Sequence, residues 1–208
     1  MKECIIFSGG SVSGNEPIPT ITKDTTIISA DGGYTNALKF GIKPNVAIGD
    51  FDTIDTNRID TTSTTIKYPT HKDDTDTMLC VKKAIELGSE RVLIYGALGG
   101  RFDHTIANVQ ALEYLDVHGV TGYLIDDNNV VTMQSISIKQ YRRLPNYKYF
   151  SILSVSERSE VSANGLEYPL TNTILTRDFP LGVSNSFLKD TTTVIVHDGL
   201  VLIVYSKD

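Results

Sequence analysis

Helical periodicity runs through the first part of this chain and stops at about residue 126. Up to that point short apolar runs alternate with helical patterns. Cys4–Phe7, Ile27–Ala30, Val46–Ile48, Ile66–Tyr68, Val92–Tyr95 and Tyr123–Ile125 read as buried strands. Tyr34–Phe40 reads as a short helix stopped by Gly41, with Pro44 beyond it. A second helix is predicted from an Asp74 cap to Leu87, with Met78, Val81 and Ile85 on one face. A third follows an Asp103 cap, with Ile106, Val109 and Leu112–Leu115 facing inward. Strand and helix in alternation predict an α/β unit, a mostly parallel sheet with helices on both faces.

Beyond Asn129 only short β-rich runs remain: Tyr149–Val155, Val161–Ala163, Thr173–Thr176, Thr193–Val196 and Leu200–Tyr205. Asn164-Gly165 and Asp198-Gly199 read as hairpin-type turns between them. An antiparallel β-sandwich is expected there. The division falls in Asp126-Asp127-Asn128-Asn129, giving domains 1–128 and 129–208.

Composition narrows the function. The chain has 208 residues and a formal net charge of −6, so it lacks the basic surface of a nonspecific nucleic-acid or membrane-surface binder. A phosphate substrate would be approached through a cation. The two cysteines, Cys4 and Cys80, sit in apolar surroundings and make neither a disulfide framework nor a four-cysteine zinc site. The apolar run in MKECIIFSGG is short for a signal peptide, and no run approaches the roughly 20 apolar residues of a membrane span. A cytoplasmic location is expected.

The placing of the aspartates carries the chemistry. Asp31 follows the second strand, Asp50 and Asp52 the third, Asp73, Asp74 and Asp76 the fourth, and Asp103 the fifth. In a parallel sheet those ends lie along one edge, where α/β proteins bind ligands. Each aspartate alone has a structural reading, as a helix cap or a dipole partner. Seven carboxylates on one edge repel unless a cation neutralises them, and an oxygen-rich site suits Mg²⁺ shared with substrate phosphates. Ser8-Gly9-Gly10, Asp31-Gly32-Gly33 and Gly99-Gly100 follow strands and are either tight turns or places where backbone approaches an anion. Gly99-Gly100-Arg101 opening a helix is the better phosphate cue, and Lys72 and His104 add further donors. No P-loop, dinucleotide fingerprint or serine-hydrolase elbow occurs.

Ala30-Asp31-Gly32-Gly33, Gly49-Asp50-Phe51-Asp52-Thr53, Lys72-Asp73-Asp74-Thr75-Asp76 and Gly96-Ala97-Leu98-Gly99-Gly100-Arg101-Phe102-Asp103-His104 resemble, in order, the motifs of the thiamine pyrophosphokinase family. Gly182-Val183-Ser184-Asn185 resembles that family's Ser-Asn element. Thr53 stands where Ser is usual, and Met78 where an acidic residue often follows. The resemblance implies transfer of pyrophosphate from ATP to the thiamine hydroxyl, giving thiamine diphosphate and AMP. It also implies Mg²⁺ and a homodimer with thiamine at the interface. On this basis Asp50, Asp52, Asp73 and Asp76 are assigned to the metal, and Asp52, Asp76, Arg101 and Asp103 to catalysis. Gly9, Gly10, Asp31, Gly32, Lys72, Arg101 and His104 are assigned to ATP, and Ser184 and Asn185 to thiamine in domain 129–208. The alternatives are a Mg-dependent phosphoesterase, since aspartates on strand ends also build two-metal hydrolases, and a noncatalytic nucleotide or thiamine sensor.

Overall fold

The computed structural model describes residues 1–51, 59–71 and 73–208. They form two compact units, Met1–Asp127 and Asn128–Asp208.

The strands of the first unit are β1 (Glu3–Phe7), β2 (Thr25–Ala30), β3 (Val46–Gly49), β4 (Thr64–Lys67), β5 (Arg91–Tyr95) and β6 (Thr121–Ile125). Its helices are α1 (Gly33–Lys39), α2 (Asp76–Glu86) and α3 (Phe102–Val117). The strands pair in the order β4-β3-β2-β1-β5-β6, and every one of these pairings is parallel. β1 is central, so its residues Cys4, Ile5, Ile6 and Phe7 are all fully buried. That is why it reads as one continuous apolar run rather than as an alternation.

The order reverses at β1. The connection from β2 through α1 moves to one side, whereas those through α2 and α3 move to the other. Right-handed crossovers then put α1 on one face and the packed pair α2 and α3 on the opposite face. The side chains agree, since alternate strand residues point to opposite faces. Phe7 packs on Phe40 just past α1, with ring centroids 5.4 Å apart, while Cys4, three residues earlier on β1 and also buried, points to the opposite face, where α2 packs on β1. Burial pushes the Cys4 thiol up to about 12 and Cys80 upward as well, so both behave as small apolar side chains.

The helix starts differ from the sequence reading. Thr75, not Asp74, caps α2, its hydroxyl accepting from Met78 N–H at 3.1 Å. Asp74 sits one residue too early and pairs instead with Lys82. α3 starts at Phe102, so Asp103 lies in its first turn, and the capping position is Arg101. Its buried face is Asn108, Ala111, Leu112 and Leu115, which leaves Ile106 exposed.

The second unit contains β7 (Asn129–Gln134), β8 (Ser137–Arg142), β9 (Tyr149–Ser154), β10 (Arg158–Asn164), β11 (Leu170–Thr176), β12 (Thr191–Asp198) and β13 (Val201–Ser206). They form two antiparallel arrays, β7-β13-β9 and β11-β10-β12-β8. Tyr141 from β8 meets Phe150 from β9 at 5.6 Å between centroids, and Phe150 meets Phe187 at 4.8 Å, closing the space between the arrays. Buried Gln134 adds a polar tie, donating to Val194 O and accepting from Tyr141 Oη at 2.9 Å. Asn164-Gly165 begins the link between the paired strands β10 and β11. Asp198-Gly199 does not make a hairpin, because β12 and β13 belong to different arrays. Here the chain crosses from one layer of the sandwich to the other.

Candidate active site

A cleft of about 760 Å³ opens at the carboxyl ends of β1, β2 and β5, where the strand order reverses. This is the switch point at which open parallel sheets bind ligands. Its wall includes Gly9, Gly10, Asp31, Gly32, Asp76, Gly99, Gly100, Arg101 and His104. Most of the described residues assigned from sequence to nucleotide and metal binding therefore come together. Asp50, Asp73 and Asp103 do not line the cleft. Asp52 and Lys72 lie outside the described residues.

Topology explains which carboxylates arrive. β4 is the outermost strand of its side, yet the segment leaving it returns across the sheet to α2, which packs on β1 and β2. Asp76, the first residue of α2, therefore reaches the cleft, whereas Asp73, still on the way, is exposed. Asp31 sits directly after β2 with φ +40. Room for it depends on Gly49, where a Cβ would lie 2.9 Å from Asp31 Cβ.

The glycine loops approach each other closely. Gly10 N–H donates to Gly96 O at 3.0 Å, and a Cβ on Gly10 would stand 2.3 Å from that oxygen. Three buried polar side chains, one from each helix, fix these loops. Asn36 donates to Ser8 O and Gly10 O, Thr77 shares a 2.8 Å hydrogen bond with the Ser8 hydroxyl, and Asn108 donates to Ala97 O at 2.8 Å. The sequence reading missed all three. Their signal was a polar residue in the apolar stripe of a helix, as with Asn36 between buried Tyr34 and Ala37. Lys39, also on the wall, was missed as a cation.

Arg101 stands at the cleft mouth. Its guanidinium forks onto Asp103, with Nε to Oδ1 at 3.1 Å and Nη2 to Oδ2 at 2.5 Å. The Arg101 hydrogen bonds hold the Asp103 carboxyl below the usual carboxylate range, which makes it a weak base. Both side chains are mostly exposed, so the pair contributes little to stability and Arg101 can exchange this partner for an anion at small cost.

Asp31 and Asp76 supply the hard oxygen donors that suit a divalent cation. Among the described residues no group of three His, Cys, Asp or Glu side chains is gathered tightly enough to hold a metal by itself. Substrate phosphate oxygens and water would complete such a shell, the usual manner of Mg²⁺.

Ser184 and Asn185 belong to the second unit. Ser184 is exposed, with φ +60, and its N–H donates to the Ser151 hydroxyl at 3.0 Å. Asn185 is buried. Its Oδ1 accepts from Tyr168 N–H and Ser186 N–H, and its Nδ2 donates to Tyr168 O at 2.7 Å. Its amide thus shapes the loop. Gly182 belongs to the same construction, since a Cβ there would lie 2.0 Å from Ile152 O.

Residues 19–123 match the family profile described as "Thiamin pyrophosphokinase, catalytic domain", and residues 134–201 match "Thiamin pyrophosphokinase, vitamin B1 binding domain". The chain belongs to the thiamine pyrophosphokinase family. A curated thiamine pyrophosphokinase of Bacillus subtilis (strain 168) is 30% identical over 214 residues, covering 100% of both chains. The crystal structure of thiamine pyrophosphokinase from Bacillus subtilis superposes with a TM-score of 0.90 at 30% identity and full coverage of both. That of thiamin pyrophosphokinase from Geobacillus thermodenitrificans gives 0.85 at 26% identity, covering 99% of this chain and 98% of its own. The protein is thus a transferase of this family. Among the described residues no helix is long and apolar enough to cross a membrane.

Proposed function

We propose that the cleft of the first unit binds MgATP and that the protein transfers the β,γ-pyrophosphoryl group to the hydroxyl of thiamine, releasing AMP. The observation that carries this reading is the meeting of two glycine loops, two carboxylates and Arg101 at the switch point of a parallel sheet. Glycine at 9, 99 and 100, where a Cβ would meet nothing within 4 Å, leaves backbone accessible to a phosphate chain, while Gly10 lets the loop close on Gly96. Asp31 and Asp76, on the cleft wall, would hold Mg²⁺ directly, and the sequence-assigned Asp50 and Asp73, which lie off that wall, through water; Asp52 is assigned to the ion from sequence. When bound, that ion screens phosphate charge and offsets the charge developing on the leaving AMP. The protein's share is positioning and charge, since little other chemistry is needed in phosphoryl transfer. Asp103, acidified by Arg101, suits orienting the acceptor hydroxyl better than removing its proton.

Arg101→Lys keeps the charge and loses the planar fork. It is expected to lower kcat/KM for ATP about tenfold, or about 1.4 kcal/mol of transition-state stabilisation. Steady-state kinetics with ATP varied checks this, and unchanged constants would reduce Arg101 to a helix-start residue.

The exposed Ser184 loop of the second unit supports acceptor binding, and we infer a homodimer in which thiamine binds at the subunit interface against this loop. Ser184→Ala should raise the KM for thiamine several-fold, one hydrogen bond contributing about 0.5–1.5 kcal/mol, with KM for ATP and thermal stability unchanged. Asn185→Ala should instead lower the melting temperature, because it removes the amide that pairs with both backbone groups of Tyr168 and with Ser186 N–H. Reversed outcomes would exchange the two roles.

Hydrolysis and transfer are separated by acceptor dependence. AMP formation that needs thiamine supports transfer, and phosphate release from ATP without thiamine supports the phosphoesterase.

A further inference from the structure

Asn36 differs from the other two buried polar ties in touching two carbonyls of one loop. Its reach depends on Gly33, the first residue of α1, where a Cβ would lie 1.9 Å from Phe7 O. Without that Cβ the first turn of α1 lies against the end of β1. One turn on, Asn36 Nδ2 donates to Ser8 O at 2.7 Å and to Gly10 O at 2.6 Å. Both amide hydrogens are used, and the residue is only 6% exposed.

The peptide bond supplies the rest. In a planar trans peptide the N–H points opposite to the C=O. A Ser8 carbonyl drawn to Asn36 therefore turns Gly9 N–H away from Asn36, and the Gly10 carbonyl does the same for Ser11 N–H. Gly9 and Ser11 are exposed and line the cleft. Two main-chain donors are thus set on one side of the same loop, the arrangement by which backbone amides take phosphate oxygens. Gly10 N–H is occupied elsewhere, on Gly96 O, which fixes the loop from the β5 side.

We propose that Asn36 is a positioning residue for the phosphate chain of the nucleotide, holding the Gly9 and Ser11 amides toward it through the Ser8 and Gly10 carbonyls. The proposal rests on reading this cleft as the nucleotide site. Asn36 as no more than a pin between α1 and β1 makes a different prediction, a loss of stability without discrimination among ligands.

Asn36→Leu keeps the approximate volume, adds no charge and removes both donors. Equilibrium binding should show ATP weakened about tenfold, the scale of two impaired hydrogen bonds. Adenosine, which has no phosphate and is measured by competition, should be weakened less than twofold. Equal weakening of both ligands, or undiminished ATP affinity in a folded variant, overturns the proposal. A second measurement uses the wild-type protein alone and so does not depend on the variant folding. On titration with inorganic tripolyphosphate, the Gly9 and Ser11 amide resonances should be among the most strongly shifted in the spectrum. If both stay in place while tripolyphosphate binds, or if neither it nor ATP binds, the proposal fails. Neither measurement uses thiamine or turnover, so a failure of pyrophosphoryl transfer is read separately from a failure of this role.

Discussion

Gly33→Ala is expected to lower stability by about 3 kcal/mol or more, the upper end of what overpacking a close-packed site costs, and to take activity with it. The added Cβ would lie 1.9 Å from Phe7 O, 2.5 Å from Phe7 C and 3.1 Å from Ser8 C. All three are backbone atoms, so no side chain can swing aside. Phe7 cannot yield either, because it is paired with Ser29 on one side and Tyr95 on the other. Alanine is the better helix former by about 1 kcal/mol, but that gain is smaller than the clash and has the opposite sign. Against a total of about 5–15 kcal/mol for a typical domain, such a loss shows plainly. Denaturant unfolding measures it. A midpoint equal to or above that of the wild type would mean that α1 does not lie on the end of β1 as described.

Asp76→Asn should separate activity from stability. The substitution is isosteric and leaves the Thr75 cap in place. Loss of a carboxylate from the first turn of α2 removes a helix-dipole interaction worth about 0.3–1 kcal/mol. The catalytic effect should be much larger, because a neutral amide is a poor ligand for Mg²⁺ and, among the described residues, only Asp31 would remain as a carboxylate on the cleft wall. A fall of about a hundredfold in AMP formation is expected, equivalent to about 2.7 kcal/mol, with the melting temperature shifted only slightly. Near wild-type turnover at saturating Mg²⁺ would remove Asp76 from the metal assignment.

The α/β unit was readable because its central strands are buried on both faces and appear as unbroken apolar runs, as in Cys4-Ile5-Ile6-Phe7. The acidic strand ends were readable because Asp at such positions is conspicuous. Strand order was not readable, and strand order decides the cleft: Asp76 belongs to the wall and Asp73 does not because of where α2 packs. β8 was missed because Ile138, its most conspicuous apolar residue, is 70% exposed while polar neighbours are partly covered. Asp198-Gly199 has the composition of a hairpin turn, and composition does not distinguish a turn within one layer from a crossing between two. Asn185 carries a name-worthy motif in sequence, yet only the fold reveals that its amide is committed to Tyr168 and Ser186. Asn36 illustrates the reverse case, a residue outside every quoted motif that controls the geometry of one.

In the proposed reaction the acceptor hydroxyl attacks the β-phosphorus of ATP, and following two labels tests this most directly. The wild-type protein is given Mg²⁺, thiamine and ATP labelled at either the β- or the γ-phosphate. Both labels should appear in thiamine diphosphate, with one AMP formed per thiamine consumed and none when thiamine is omitted. Recovery of only the γ-label in thiamine monophosphate, with ADP as the other product, would contradict the account, as would label released as free phosphate in the absence of thiamine.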